Sequence, residues 1–360
     1  MPDFEAKGPR LLFVPVSGAY GMGEYARSLG IAHAAIRRWP QAEIRFLLSK
    51  QAPYADSVPF SAALLPSSPT FHSAEVIREL REFRPHVVIF DNAGRTSQLR
   101  AARRAGSRIV YISARRRQRG KAFRWRWMRL IDEHWIAYPR FIAGSLGFFE
   151  RFKLRLLHRP TVRYLDVILA RAVPMMHAPH AEGSYVLMVP GGGTGHPGAH
   201  DAVAQFRSAA YSLAAAGAPT IYVGPAGPVG TGDDGAANDS RLRQLAPLPQ
   251  GELMALMRSA RVVIANGGST LLQAIACGCA CVAVPIAGDQ KQRIDACVAA
   301  QVALASSLHA SDIVATAEGL LRDEPQRAAL ANRAAGLRLA DGAEIAVNAL
   351  AALAACGSRA

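Results

Sequence analysis

The stretch Val262–Arg293, VVIANGGSTLLQAIACGCACVAVPIAGDQKQR, constrains the fold of this chain more than any other. It opens with VVIA, an apolar run of strand length. Asn266-Gly267-Gly268-Ser269-Thr270 follows, a turn whose glycines let the backbone come close to a ligand. LLQAIA then shows a helical pattern that stops at Gly278, in the place of a C-terminal cap. CVAVP reads as a second buried strand and leads into a polar loop with Asp289, Gln290 and Arg293. Strand, glycine turn, helix and strand make one βαβ unit, and N–H groups at such a helix start favour anions, phosphates above all. No residue from Val262 to Gly288 is charged, but Asn266, Ser269, Gln273 and Pro285 interrupt the run. A buried α/β unit fits that pattern better than a membrane span.

The rest of the chain repeats this grammar. Leu11–Val16 reads as a strand, followed by the glycine loop SGAYGMG and a helix ended by Pro40. Ile44–Leu48, Val87–Phe90 and Ile109–Ile112 read as further strands, with helices at Ala74–Phe83 and Arg100–Ala105. Ala170–Ser184 reads as a linker. A second set then starts with the strand Tyr185–Val189, the loop Gly191–Gly195 and a helix around Ala202–Ala216. Thr220–Val223 is another strand, Gly224–Asn238 a loop, and helices follow near Ser311–Leu321, Gln326–Leu337 and Glu344–Ala355. The alternation predicts α/β domains with parallel sheets and ligands at the strands' carboxyl ends. The expected boundaries are 1–175, 183–345 and a C-terminal helix or tail, 346–360.

The pattern N-G-G-S-T-x-x-x-A-x-x-C-G-x-x-x-x-x-x-P-x-x-x-D-Q, with its lead-in LAPLPQGELMALMRSAR, resembles the donor-binding segment of GT-B glycosyltransferases. It is most similar to family 28, which includes the peptidoglycan-precursor N-acetylglucosaminyltransferase, and to the related nucleotide-sugar hydrolases. The resemblance implies two Rossmann-like, doubly wound parallel-sheet domains facing a central cleft. It places Asn266, Gly267, Gly268, Ser269 and Thr270 at the nucleotide and donor sugar, with Asp289 and Gln290 on sugar hydroxyls and Arg293 near phosphate. Gln273 stands where the family has a glutamate for the ribose, and an amide lacks the charge-assisted strength of a carboxylate. Gly192, Gly193 and Thr194 join the donor set as a second loop that lets amides approach a diphosphate, though a tight strand-to-helix turn looks the same.

In the first half, Gly21–Leu29, GMGEYARSL, resembles the G-x-G-H-x-x-R-x-L loop of the same group, with Glu24 replacing its histidine. Glu24 is then the candidate general base, or an acid complementing a helix N-terminus. Tyr20, Gly21, Gly23 and Arg27 become candidate acceptor contacts. Asp91, ending a strand, is a candidate catalytic or orienting carboxylate, with an Asx turn as the plain alternative. The resemblance implies transfer from a nucleotide-sugar to a lipid-linked or otherwise anionic acceptor, with inversion and with neither cofactor nor metal. No D-x-D pair is present to hold a metal–nucleotide. The alternatives are a nucleotide-sugar hydrolase and a non-catalytic carbohydrate- or nucleic-acid-binding protein.

Charge is distributed unevenly. Arg95–Arg163 holds 19 Lys and Arg against three acids, whereas the whole 360-residue chain carries a net charge of +15. Trp125, Trp127, Phe141, Phe148, Phe149 and Phe152 sit among these arginines. Arg115–Arg163 is therefore an expected peripheral contact with anionic membrane, against the alternative of a solvated face; no nucleic-acid motif accompanies it. The five cysteines include CGCAC, without metal-ligand spacing, and read as buried small residues. Reduced thiols and a start without a signal-peptide pattern predict a cytoplasmic protein, peripheral on the inner membrane face.

Overall fold

The computed structural model describes residues 8–173, 180–192, 201–225 and 241–357. The chain divides into two compact units, Met1–Leu169 with Ala340–Ala360, and Ala170–Leu339.

The first unit holds β1 (Arg10–Pro15), β2 (Glu43–Ser49), β3 (Ser61–Leu65), β4 (Val87–Asp91), β5 (Arg108–Ser113), β6 (Glu133–Ile136) and β7 (Thr161–Tyr164). Its helices are α1 (Gly23–Arg38), α2 (Ser73–Phe83), α3 (Thr96–Arg104), α4 (Arg116–Ala122), α5 (Trp125–Met128), α6 (Arg140–Ala143) and α7 (Phe148–Leu157). All seven strands are parallel, in the order β3-β2-β1-β4-β5-β6-β7. Strand order therefore reverses between β1 and β4, the switch point at which such sheets open a crevice beyond their carboxyl ends.

Leu11 and Phe13 pack on one side of the sheet and Leu12 and Val14 on the other, the period of a strand covered on both faces. On α1, Tyr25, Ile31, Ala32 and Ala35 face the core. Glu24 in its first turn and Arg37 and Arg38 in its last complement the helix dipole.

The second unit holds β8 (Val186–Val189), β9 (Thr220–Val223), β10 (Leu242–Leu245), β11 (Val262–Asn266), β12 (Cys281–Val284) and β13 (Leu304–Ala305). Its helices are α8 (Ala202–Ala215), α9 (Gln250–Ser259), α10 (Ser269–Ala276), α11 (Lys291–Ala299), α12 (Ala310–Arg322) and α13 (Glu324–Gly336). The six parallel strands run β10-β9-β8-β11-β12-β13, so the switch point lies between β8 and β11. Cys279, Cys281 and Cys297 are buried free thiols, and Cys277 is half-buried.

The last helix, α14 (Gly342–Gly357), corrects the expected boundaries. Rather than forming a tail, it returns to the first unit, where Ala343, Ala346, Val347 and Leu350 join the core beside α1. Its alanines are small enough for close helix packing. The returning chain is pinned beside the departing one: Gly342 N donates to Val167 O at 2.8 Å and Leu169 N to Asp341 Oδ1 at 3.2 Å. Of the expected linker, residues 174–179 lie outside the described residues, as do 226–238 of the expected loop.

Two strands hide in the basic segment that shows no regular pattern in sequence. In β6, Glu133 and His134 are buried, at 3% and 0% exposure. Glu133 accepts from Arg163 Nε at 2.9 Å and Nη2 at 3.0 Å on β7, while His134 Nε2 and Ser113 Oγ on β5 lie 2.8 Å apart. Each polar side chain has a partner on the adjacent strand, which lets a central strand carry residues that disguise its hydrophobic period.

Candidate active site

In the first unit, the loop after β1 and the end of β4 meet at the switch point. Asp91 closes β4 and is fully buried. It accepts from Arg27 Nε at 2.8 Å and Nη2 at 2.7 Å, a bidentate ion pair. Burial pushes the Asp91 carboxyl up to about 6, against the pull of Arg27. Burial disfavours the Arg27 cation, but the attraction of Asp91 outweighs it and raises the arginine's pKa. At neutral pH both groups are thus charged and satisfied by each other.

This placement gives both residues an internal partner. Asp91 has no exposed surface with which to touch a substrate, and Arg27, 9% exposed, directs its guanidinium inward and not at an acceptor. The pair instead locks α1 to β4.

Asn92, the next residue, takes the orienting place expected of Asp91. Its Nδ2 donates to Glu24 Oε1 at 2.9 Å, and its Oδ1 accepts from Ala114 N at 2.9 Å. The backbone of Asn92 is left-handed (φ 53°), a conformation asparagine tolerates better than most residues. Glu24 is half-buried in the first turn of α1. Tyr20 and Gly21, the latter at φ 87°, stand exposed in the loop before it, and Gly23 opens the helix. One visible signal marks Asn92 in sequence: a polar residue directly after a buried strand.

A cationic cluster lies beside the turn after β4. Lys121 Nζ on α4 donates to Gly94 O, just after β4, at 2.8 Å and sits 4.2 Å from the Trp127 ring centre. Burial, with Arg95, Arg124 and Arg117 nearby, lowers Lys121 to about 8. Like charges gathered without an acid between them favour an anion.

In the second unit, Asn266 ends β11 and organises the glycine turn. Its Nδ2 donates to Pro190 O, after β8, at 2.5 Å, and its Oδ1 accepts from Gly268 N at 2.8 Å. Gly191 sits at φ 78°, and a Cβ there would lie 2.3 Å from Asn266 Nδ2; a Cβ at Gly268 would lie 2.6 Å from Asn266 Oδ1. The glycines are therefore required by the approach of the Asn266 amide, which at 4% exposure joins both switch-point loops.

Arg293 on α11 donates to Gly267 O and lies 3.8 Å from Asp289 Oδ2. Gln290 Oε1 accepts from Ile286 N at 3.0 Å. Asn266, Gln290 and Arg293, expected to contact the donor, brace the turn and its neighbours. Gln273 is also buried, at 6% exposure. What the unit presents to solvent is exposed Ser269 at the start of α10, half-exposed Gly268 and Thr270 on either side of it, exposed Gly192 and exposed Asp289. The expected contacts Gly193 and Thr194 lie outside the described residues.

The three acids of the basic segment are all engaged. Asp132 pairs with Arg103, Arg108 and Arg159; Glu133 with Arg163; and Glu150 with Arg119. Part of the run is therefore internal structure, while Arg115, Arg116, Arg117, Arg124, Arg126 and Arg129 are exposed. Among the described residues no helix is long and apolar enough to cross a membrane.

No protein-family model and no curated protein sequence matches the chain. Solved structures do. Spinosyn forosaminyltransferase SpnP is similar over 96% of this chain and 99% of its own, with a TM-score of 0.66 at 15% identity. Spinosyn rhamnosyltransferase SpnG, complexed with thymidine diphosphate, gives a TM-score of 0.63 at 14% identity over 96% and 99%. A putative UDP-N-acetylglucosamine 2-epimerase from Listeria monocytogenes gives 0.56 at 12% over 95% of each chain. The fold is that of the GT-B glycosyltransferases, as the sequence resemblance predicts.

Proposed function

We propose that this protein is a GT-B glycosyltransferase that moves a sugar from a nucleotide-sugar to a lipid-linked or otherwise anionic acceptor. The observation that carries the reading is the β11–α10 turn, braced by Asn266 and Arg293 so that Ser269 stands exposed where α10 begins, at a switch point. Backbone donors fixed before the ligand arrives stabilise a diphosphate most as it departs and gains charge. Two neighbours in fold support it by name, one a transferase of forosamine and one holding thymidine diphosphate.

In this reading Glu24 takes the proton of the acceptor hydroxyl as its oxygen bonds to the anomeric carbon and the bond to the diphosphate breaks. Asn92 holds one carboxylate oxygen, leaving the other for the acceptor. A single displacement inverts the anomeric carbon. Lys121 with Arg95, Arg117 and Arg124 supports an anionic group on the acceptor. No resident metal or cofactor enters these steps.

The test is a panel of nucleotide-sugars, following melting temperature and released nucleotide. A bound donor at 100 times its dissociation constant stabilises the fold by about 2.7 kcal/mol. Stabilisation with slow nucleotide release supports the transferase and names its donor. Rapid release of sugar and nucleotide without acceptor makes it a hydrolase, and no stabilisation by any member contradicts both.

A further inference from the structure

β1, β2 and β4 run parallel, so the loops after them leave the sheet on the same side. Ser49, the last residue of β2, donates its N–H to Ser17 Oγ at 2.8 Å and ties the β2 loop to the β1 loop. Tyr54 follows in that loop. Its ring stacks on that of Tyr25, with centres 3.9 Å apart and planes at 4°, and both residues are 4% exposed. Tyr25 is the neighbour of Glu24 in the first turn of α1. A buried ring packed face to face has little freedom, so the position of its hydroxyl is fixed.

That hydroxyl is buried and has no hydrogen-bond partner. A buried donor without a partner is costly, and phenylalanine would fill the same space without the cost. Burial raises the phenol's pKa, and the charge of Glu24 and then Tyr25 raise it further. Tyr54 therefore keeps its proton through the neutral range, within reach of the Glu24 charge. Tyr111 OH is also without a partner, but Asp91, the carboxylate that acts on it, is already filled by Arg27. Glu24 is different: Asn92 occupies one of its oxygens and leaves the other open. The remaining charges that act on this corner are Arg27 and Asp91, which neutralise each other.

We propose that Tyr54 is a positioning residue for Glu24, its hydroxyl donating to the carboxylate oxygen that Asn92 leaves free. Terminal carboxylate torsions are soft, so Glu24 has the freedom to meet a fixed hydroxyl. Two donors anchored on different loops then hold the plane of the carboxylate. Each carboxylate oxygen has two lone pairs, so the proton of an acceptor hydroxyl still finds a place beside the tyrosine. For its purpose the inference rests on the reading of Glu24 as the base of the proposed transfer; the contact itself does not need that reading.

The test compares Tyr54→Phe with wild type in the full chain. Phenylalanine keeps the ring and its stack on Tyr25, so the variant should fold as wild type does. Carbon-13 NMR of glutamate carboxyls reads Glu24 without any substrate, its signal identified by its loss in Glu24→Gln. A hydrogen bond to the charged form favours that form, so in Tyr54→Phe the signal should titrate at higher pH than in wild type. With donor and acceptor, kcat should fall about tenfold with little change in KM, and the acidic limb of kcat/KM should move the same way. A Tyr54 that only packs would lower the melting temperature on change to Leu, yet leave the titration and the limb unmoved in Tyr54→Phe; that result overturns the proposal. The two ideas fail separately. A moved titration without turnover of any nucleotide-sugar keeps the Tyr54–Glu24 contact and removes the transferase reading. Turnover with an unmoved titration keeps the reading and removes the contact.

Discussion

Asn92 Nδ2 donates to Glu24 Oε1 at 2.9 Å, while the other end of the same amide accepts from the backbone of Ala114. One side chain therefore ties the proposed base to the ends of β4 and β5 and presents its carboxylate in one orientation. Asn92→Ala should lower kcat by about tenfold or more with little change in donor KM, because positioning acts on the reacting geometry. Asn92→Asp places a second carboxylate against the first, and like charges disfavour ionising both. Its kcat/KM profile should keep its shape with the acidic limb moved to higher pH. A purely structural Asn92 would lower stability and leave the limb in place.

The Arg27–Asp91 pair is a stability element. Asp91→Ala leaves a buried guanidinium without its partner, which typically costs about 3–5 kcal/mol. Arg27→Met with Asp91→Leu removes both charges and should recover most of that loss in urea unfolding. Equal losses in single and double variants would contradict the account.

Asn266→Ala removes the amide that joins the two glycine loops. Leaving Pro190 O and Gly268 N without their partner should lower stability by about 1–3 kcal/mol. It should also weaken nucleoside diphosphate binding at least tenfold by calorimetry. Asp289→Asn, which changes an exposed side chain, should alter the choice of sugar and leave stability within about 0.5 kcal/mol.

His134 makes the fold sensitive to acid. Complete burial, with Arg119 nearby, lowers it to about 3 from the ordinary 6.5. Between these values the unfolded chain takes up a proton that the folded one refuses, so the stabilisation present above pH 6.5 is lost as pH falls. The slope is at most about 1.4 kcal/mol per pH unit. Urea unfolding at pH 7 and pH 5 should show His134→Leu losing about 2 kcal/mol less than wild type across the interval. Equal losses would mean that His134 titrates alike in both states.

The fold was legible wherever burial imposes a plain pattern. β4, β9 and β11 are wholly buried and apolar but for a terminal or initial polar residue, and glycines mark the turn after β11. β6 was not legible, because Glu133 and His134 find their partners on strands distant in sequence. β3 lies at a sheet edge, largely exposed, and reads as part of a Pro/Ser-rich loop. The candidate site was legible as positions but not as roles. Spacing places Asp91 and Asn266 at strand ends and Arg27 and Arg293 on the helices beside them; the structure shows that their polar atoms face inward and brace the loops. Lys121 emerges only in the folded chain, and Asn92, marked in sequence as a polar residue after a buried strand, gains its role only once β4 and β5 are side by side.

The most direct measurement of the central claim is a calorimetric titration of the common nucleoside diphosphates into wild type, Gly268→Ala and Glu24→Gln. The account predicts that one diphosphate binds wild type and Glu24→Gln alike and binds Gly268→Ala at least tenfold more weakly, since a Cβ there would press on Asn266 Oδ1 at 2.6 Å. With the matching nucleotide-sugar and acceptor, Glu24→Gln should then turn over about 10² times more slowly. Absence of binding by every diphosphate, or full binding by Gly268→Ala, would contradict a donor site at the β11–α10 turn.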